Sequence, residues 1–391
     1  MISEGEARAK IIATVQPLPP RKVSILRGLD SFAAQDYLAR LPLPLFDNSA
    51  MDGYAVMASD TRPGARLRVL GEQPAGFDRQ LRVAAGEAVR IFTGGPLPQG
   101  ADAVVMQEDV TRDGDVVVVN VEVTSGEFVR RRGCDLGEGQ KIIRAGERVR
   151  AVTLGLLASQ GLAEIVVGGE VEAAIIPTGD ELAKPGEKLC AGQIYESNSV
   201  LLGALLQRCG AVIASQQHCA DDAASLRNAF QAAAEYQVLI VSGGVSVGEH
   251  DLVQQTLRDL GAKIDIWRVA IKPGKPFLFG QLGNCLVFGL PGNPVSTFIT
   301  FLKFVRPAIL KLMGAADLGL PTTRATLVID LANESERVHY IRGKLEHGNF
   351  APVGRQESHA LFGLSQSDAL LRLPPGASAK RGEAVEVQVW D

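Results

Sequence analysis

The spacing of apolar positions changes character along the chain, and each change predicts a different kind of structure. Ser3 followed by Glu6 has the spacing of a capping box, and the alanine, isoleucine and valine positions behind it predict a short helix ending near Pro17. From about 45 to 138 the pattern breaks into short β-rich runs, RLRVL, AVRIF, DAVVM and DVVVV, separated by Gly, Pro and Asp, which predicts a mostly β module. A helical pattern resumes over 151–162, so the β module reads as an insertion between two pieces of one helical unit.

From about 171 to 314 strand-like and helix-like runs alternate: VEAAIIP, SNSVLLGALLQRCG, AVIASQ, DDAASLRNAFQAAAE, QVLIVS, HDLVQQTLRDLG, CLVFGL, then a long helix after Pro294. This alternation predicts a parallel α/β sheet covered on both faces, with ligands at the carboxyl ends of its strands. Beyond about 318 the period returns to 2, in TRATLVIDL and AVEVQVW, which predicts a small closing β domain. The expected fold class is multidomain α/β plus β. Its expected division is a segmented N-terminal helical domain (1–44 and 139–168), an inserted β-rich domain (45–138), an α/β domain (169–316) and a C-terminal β domain (317–391).

Composition narrows the classes without choosing among them. The 391 residues exceed what one hydrophobic core organises, and 46% hydrophobic with 21% charged residues is globular. A net charge of −4 gives no global case for nucleic acid, so any polyanion site is local. The five cysteines form no C-x-x-C pair, and reduced thiols suit a cytoplasmic location. No run approaches the ~18 apolar residues of a membrane span.

The chemistry concentrates where the alternating region has its glycines. VSGGVSVGEHD (241–251) follows a buried strand and precedes a helix, the geometry that wraps backbone N–H groups around a phosphate. Gly243, Gly244 and Gly248 permit close approach, and Ser242, Ser246, Glu249 and Asp251 add hydroxyls and carboxylates suited to a Mg²⁺-bound phosphoanhydride. KPGKP sets Lys272 and Lys275 around a Pro-Gly-Pro frame, either as a solvated pair or, on the same sheet edge as the serine-glycine loop, as an anion site. GLPGNPVS (289–296) ends the next strand, and Pro294 suits the first turn of a helix whose free N–H groups face the cleft. Asp180 and Glu181 in PTGDEL, with Asp221, are carboxylates beside these loops, although by themselves Asp221-Asp222 read first as a helix cap. Asp52, Thr93 and Asp135, and the run Arg130-Arg131-Arg132, read by themselves as turn chemistry and a solvated charge run.

Taken in order, DNSAMDGYAV, TGGPLPQGADAVV, RRRGCD, PTGDEL, VSGGVSVGEHD, KPGKP and GLPGNPVS resemble the signature segments of the molybdopterin molybdenumtransferases, over roughly residues 45–310. The resemblance implies an elongated cytoplasmic homodimer that takes adenylylated molybdopterin and molybdate as substrates. With Mg²⁺ or a similar divalent cation it would cleave the phosphoanhydride, release AMP and leave molybdenum on the pterin dithiolate. It implies that Asp180, Glu181, Asp221 and Asp251 are the acidic groups of the cleft, with Glu181, Asp221 and Asp251 toward the metal. Gly243, Gly244 and Ser246 would then cradle phosphate. Lys272, Lys275, Asn293 and Ser296 would serve the pterin phosphate and molybdate, Pro291 and Pro294 would shape that loop, and Arg342 and Ser358 would contact molybdate. Asp52, Thr93 and Asp135 would act from the partner subunit. Cys134 stands where the family commonly carries an acidic residue. Other molybdenum-cofactor synthesis enzymes and apo-molybdoenzymes are expected partners, with neither nucleic acid nor membrane. Relatives of this fold also organise receptors or adenylylate molybdopterin, so a non-catalytic pterin-binding scaffold and an adenylyltransferase are the competing functions; retention of the acidic and lysine residues favours the transferase.

Overall fold

The computed structural model describes residues 1–245 and 252–390 and divides into two compact units. One comprises Met1–Gln35, Ala145–Leu154 and Ala163–Asp391; the other comprises Asp36–Arg144 and Gly155–Leu162.

The smaller unit is built on a six-stranded sheet in the spatial order Ala103–Met106, Gly53–Val56, Glu87–Ile91, Ala65–Gln73, Val116–Val119 and Val110–Asp113. Its inward positions, among them Tyr54, Val56, Leu67, Val105, Val117 and Val119, form one apolar cluster, as the period-2 runs require. The strand Gly53–Val56 is central and buried throughout, and a Cβ at Gly53 would lie 2.0 Å from the Val105 carbonyl oxygen. Glycine there lets the two backbones close on each other.

In the larger unit the leading helix, Glu4–Thr14, starts on the expected capping box, with Ser3 and Glu6 satisfying each other's backbone N–H. Strand Arg21–Ser24 pairs antiparallel with Glu164–Val167, so the chain leaves and re-enters this unit through adjacent strands. The α/β region holds a six-stranded sheet ordered Val212–Gln216, Glu172–Pro177, Val238–Ser242, Cys285–Leu290, Leu278–Leu282 and Lys263–Trp267. The first four are parallel, as the alternation predicts. Leu278–Leu282 runs antiparallel to both of its neighbours, because Leu282 and Cys285 are joined by a tight turn at Gly283 rather than by a crossover helix, and the edge strand Lys263–Trp267 again points with the first four. The central strands are buried on both faces, between one cluster containing Ile175, Ile240 and Phe288 and another containing Ile176, Val241 and Val287.

The long helix after Pro294 runs to Leu312, with a π-helical turn at Phe301–Val305. The C-terminal region is a β domain in which Val338–Glu346, Asn349–Pro352, Thr322–Leu327, Ala384–Val389 and Ala369–Leu373 close into a ring of pairings. The short strand Ile271–Lys272 joins that ring alongside Val338 and His339. Lys272 therefore belongs to the C-terminal sheet, which corrects its expected placement on the sheet edge of the serine-glycine loop.

Candidate active site

The parallel strands deliver their loops to one cleft of about 680 Å³. Thr178, Gly179 and Glu181 follow the strand Glu172–Pro177; Ser242, Gly243, Gly244 and Val245 follow Val238–Ser242; Pro291, Gly292, Asn293 and Pro294 follow Cys285–Leu290. This is the carboxyl end of a parallel sheet, where such ligand sites form.

Glycine is required at the second loop. Gly243 and Gly244 have φ of +91° and +64°, and a Cβ would come within 2.5 Å of the Thr178 carbonyl oxygen at the first and 2.6 Å of the Thr178 hydroxyl at the second. Asn198 ties this loop to the next: its amide donates to Ser242 Oγ (3.0 Å) and to the Gly292 carbonyl (2.7 Å). The third loop ends as expected, with Pro294 in the first helical turn after Asn293, and Thr297 Oγ donates back to the Pro291 carbonyl at 2.5 Å. Ser246 and Asp251, with Gly248 and Glu249, lie outside the described residues.

The acidic residues divide. Asp222 caps the helix Ala223–Ala233, accepting from the Ala224 and Ser225 N–H groups at 3.0 and 2.9 Å, and the Ser225 hydroxyl first, then these N–H groups, hold its carboxyl below the usual range. Asp221 faces the cleft instead, and its N–H donates to Asp180 Oδ1 at 3.3 Å. Burial first, and then the charges of Asp180 and Glu181, raise the Asp221 carboxyl above its ordinary value. The three carboxylates repel one another where a bound cation would relieve them. Among the described residues no group of three or more His, Cys, Asp or Glu side chains could by itself hold a metal ion.

A second cavity of about 610 Å³ adjoins the first and shares Pro276, Pro291, Asn293 and His359 with it. Lys272, Lys275, Arg337 and His339 line it, with Ser296, Ser358 and the carboxylate of Glu357. Asn293 donates to Ser358 Oγ at 3.0 Å, so the loop of the α/β region and that of the C-terminal domain meet at this wall. Burial, then Lys272 and Arg337, push His339 down to about 4, so it is neutral among the cations. Its Nε2 is buried and has no hydrogen-bond partner among the described residues.

Arg342, expected beside molybdate, lines neither cavity. It is 1% exposed, donates through Nη2 to the Arg355 carbonyl, and its N–H donates to Gln356. Arg337 takes the cavity position. It was missed because a long-range pairing places it: Arg337 stands just before the strand Val338–Glu346, its Nη1 donates to the Ile271 carbonyl at 3.3 Å, and Lys272 is in register with His339. Asn198 and His218 were missed too; His218 Nε2–H donates to the Gly179 carbonyl at 3.0 Å and supports the acidic loop. Asp52, Thr93 and Asp135 lie in the other unit. There Asp52 Oδ1 accepts from Thr93 N–H (2.7 Å) and Oγ (2.8 Å), and Asp135 is exposed, its N–H donating to the Leu43 carbonyl. Arg131 and Arg132 are held by Asp47, the first as an ion pair at 2.7 Å.

Comparison with known proteins matches residues 2–161 to the MoeA N-terminal region (domain I and II), 174–311 to a "Probable molybdopterin binding domain" and 324–390 to the MoeA C-terminal region (domain IV). The molybdopterin molybdenumtransferase of Haemophilus influenzae is 35% identical over 401 residues, covering 100% of this chain and 99% of its own. The chain belongs to the molybdopterin molybdenumtransferase family. Molybdopterin molybdenumtransferase 2 of Mycobacterium tuberculosis is likewise 35% identical, over the whole of both chains. The solved molybdopterin biosynthesis moeA protein of Pyrococcus horikoshii superposes with a TM-score of 0.84 at 28% identity, covering 100% of each chain. Membership of the molybdenumtransferases places the chain among the transferases of molybdenum-cofactor biosynthesis, with the multidomain architecture of that family. No helix among the described residues is long and apolar enough to cross a membrane.

Proposed function

We propose that this transferase takes adenylylated molybdopterin and molybdate, cleaves the phosphoanhydride, releases AMP and leaves molybdenum on the pterin dithiolate. The observation that carries this reading is the pair of adjoining cavities of opposite character, one with glycine loops and carboxylates, the other with Lys272, Lys275 and Arg337. A substrate with a phosphoanhydride at one end and an oxyanion acceptor at the other needs both.

In this reading the backbone at Gly243 and Gly244 binds phosphate oxygens, and the dipole of the helix behind Asn293 and Pro294 favours the same charge. Glu181 and Asp221, with Asp251, would hold a divalent cation such as Mg²⁺, water and phosphate oxygens completing its shell. When bound, that cation neutralises the phosphoanhydride and polarises the breaking P–O bond. Lys272, Lys275 and Arg337 hold the molybdate, and Ser296, Ser358 and Asn293 orient it by hydrogen bonds. Neutral His339 adds no further positive charge and does not compete for the anion. The functional unit is a homodimer in the cytoplasm in which Asp52, Thr93 and Asp135 serve the partner's cleft. Its domains are divided at 44, 138, 168 and 316, and the product passes to apo-molybdoenzymes.

The test is a reconstitution of purified protein with adenylylated molybdopterin, molybdate and Mg²⁺, reading AMP and loaded cofactor together. Both should appear in equal amounts and both should stop with EDTA. AMP release without molybdenum loading would make the chain a hydrolase, and binding without AMP release would make it a scaffold.

A further inference from the structure

We propose that His359, which lines both active-site cavities, is the proton shuttle of molybdenum transfer, moving protons from the pterin thiols to the molybdate oxygen that leaves. The assignment rests on the reaction proposed above and gives a role to a residue which that reading left idle.

The transfer has to move two protons. Molybdate and the protonated dithiol give R(S)₂MoO₃²⁻ and water: two S–H bonds and one Mo–O bond break, two Mo–S bonds and two O–H bonds form, and no electrons change hands. Sulfur attacks as thiolate, and oxygen leaves readily only once it is protonated. One group that takes a proton from sulfur and returns it to oxygen serves both needs.

The two cavities say where that group must stand. With the phosphoanhydride in the first and molybdate in the second, the dithiol reaches molybdate past the wall they share, which Pro276, Pro291, Asn293 and His359 form. The prolines carry no side-chain proton, and the Asn293 amide is committed to Ser358 Oγ at 3.0 Å. Of the four, His359 alone can both accept and return a proton. Its backbone is fixed at the wall, because the Val295 N–H donates to the Ser358 carbonyl (3.1 Å) and the Leu361 N–H to the His359 carbonyl (2.8 Å). The ring itself is 69% exposed, so a substrate can reach it.

The neighbours of the ring suit the task. His359 Nε2 lies 3.3 Å from Glu357 Oε2. A carboxylate there favours the tautomer with its hydrogen on Nε2, leaves the Nδ1 lone pair to take a proton, and steadies the imidazolium that forms. The other charges on the linings are Lys272, Lys275 and Arg337 in the second cavity and Glu181 and Asp221 in the first. His339, the other imidazole on these linings among the described residues, is pushed down to about 4 and carries no proton near neutrality.

The test follows single-turnover molybdenum loading by the full-length protein with adenylylated molybdopterin, molybdate and Mg²⁺, beside equilibrium binding of molybdate. His359→Ala and His359→Gln should each slow loading on the order of 100-fold, with molybdate affinity within about threefold of the parent's. Added imidazole should speed His359→Ala at least roughly tenfold and leave the parent unchanged. Folded variants that load at the parent's rate overturn the shuttle while the parent's own loading upholds the reaction. A loss of loading matched by an equal loss of molybdate affinity, without rescue by imidazole, makes His359 an anion contact and overturns it too. Slow loading by Glu357→Gln with normal loading by His359→Ala moves the proton to the carboxylate. A parent that loads no molybdenum at all sinks the reaction and the shuttle together.

Discussion

Lys272 and His339 are register partners on neighbouring parallel strands at the edge of the C-terminal sheet. The pairing explains how a loop of the α/β region comes to share a cavity with the last domain; burial first, and then Lys272, holds the imidazole neutral.

That neutrality sets a pH dependence. His339 binds its proton at about 4 when folded, against an ordinary 6.5, so between those values the unfolded chain binds more protons than the folded one. Stability therefore rises with pH across this window and falls on acidification from 6.5 towards 4. The contribution is roughly 1–2 kcal/mol after allowing for solvent screening. His339→Gln should flatten the part of the Tm-against-pH curve between 6.5 and 4; a curve parallel to the parent's would show that His339 titrates normally.

Arg337 and Arg342 should behave as different kinds of residue. Arg337→Ala removes a cation from the lysine cavity and should weaken molybdate binding by roughly 30-fold, with little loss of Tm. Arg342→Ala leaves the Arg355 carbonyl without its donor and opens a buried cavity, at a cost of about 2–4 kcal/mol. It should lower Tm by several degrees and leave molybdate affinity within about threefold. Equilibrium dialysis with thermal unfolding separates the two, and the reverse pattern would restore Arg342 as the contact.

These two arginines also mark how far the sequence could be read. The α/β alternation, the capping box at Ser3 and the glycine loops after buried strands are local signals, and the structure carries each where the pattern puts it. The cavity at Lys272 depends on a pairing between residues far apart in the chain, and no local period announces such a register. The acidic pair at 221–222 had two open readings because a cap and a cleft carboxylate share a composition; the structure gives one reading to each residue. The antiparallel end of the sheet was hidden for a similar reason, since a buried hairpin strand reads like any other apolar run.

Gly243 tests the phosphate loop by its backbone alone. Its φ is +91° and an added Cβ would meet the Thr178 carbonyl oxygen at 2.5 Å, so Gly243→Ala carries conformational strain and a clash together, about 1–3 kcal/mol or more. The loop should shift and AMP affinity fall by at least roughly tenfold. Gly283→Ala, also at positive φ but with nothing within 4 Å of an added Cβ, is the control and should keep AMP affinity. Equal loss in both variants would mean that the effect is general destabilisation.

The last prediction separates binding from bond cleavage through Asp221, Lys272 and Lys275. The lysines line the second cavity and meet a ligand charge that is already present before reaction, so Lys272→Ala and Lys275→Ala should chiefly weaken equilibrium binding. Asp221 sits among carboxylates in the first cavity, where burial and Asp180 raise its carboxyl. A cation held there would stabilise charge that develops as the P–O bond breaks, so Asp221→Asn should lower single-turnover AMP release more than it lowers binding. Each such contact is typically worth ~2–4 kcal/mol, so each variant should lose on the order of 30- to 1,000-fold in its own parameter. Asp222→Asn is the internal control. Its side chain caps a helix through Oδ1, and an amide oxygen can still accept those bonds, so both parameters should stay near the parent's. The measurements are single-turnover AMP release and equilibrium binding of molybdopterin and molybdate for all four variants, with folding checked by thermal unfolding. If Asp221→Asn loses binding alone, the carboxylate serves the ground state; if it matches Asp222→Asn in both readouts, the acidic loops hold no catalytic cation.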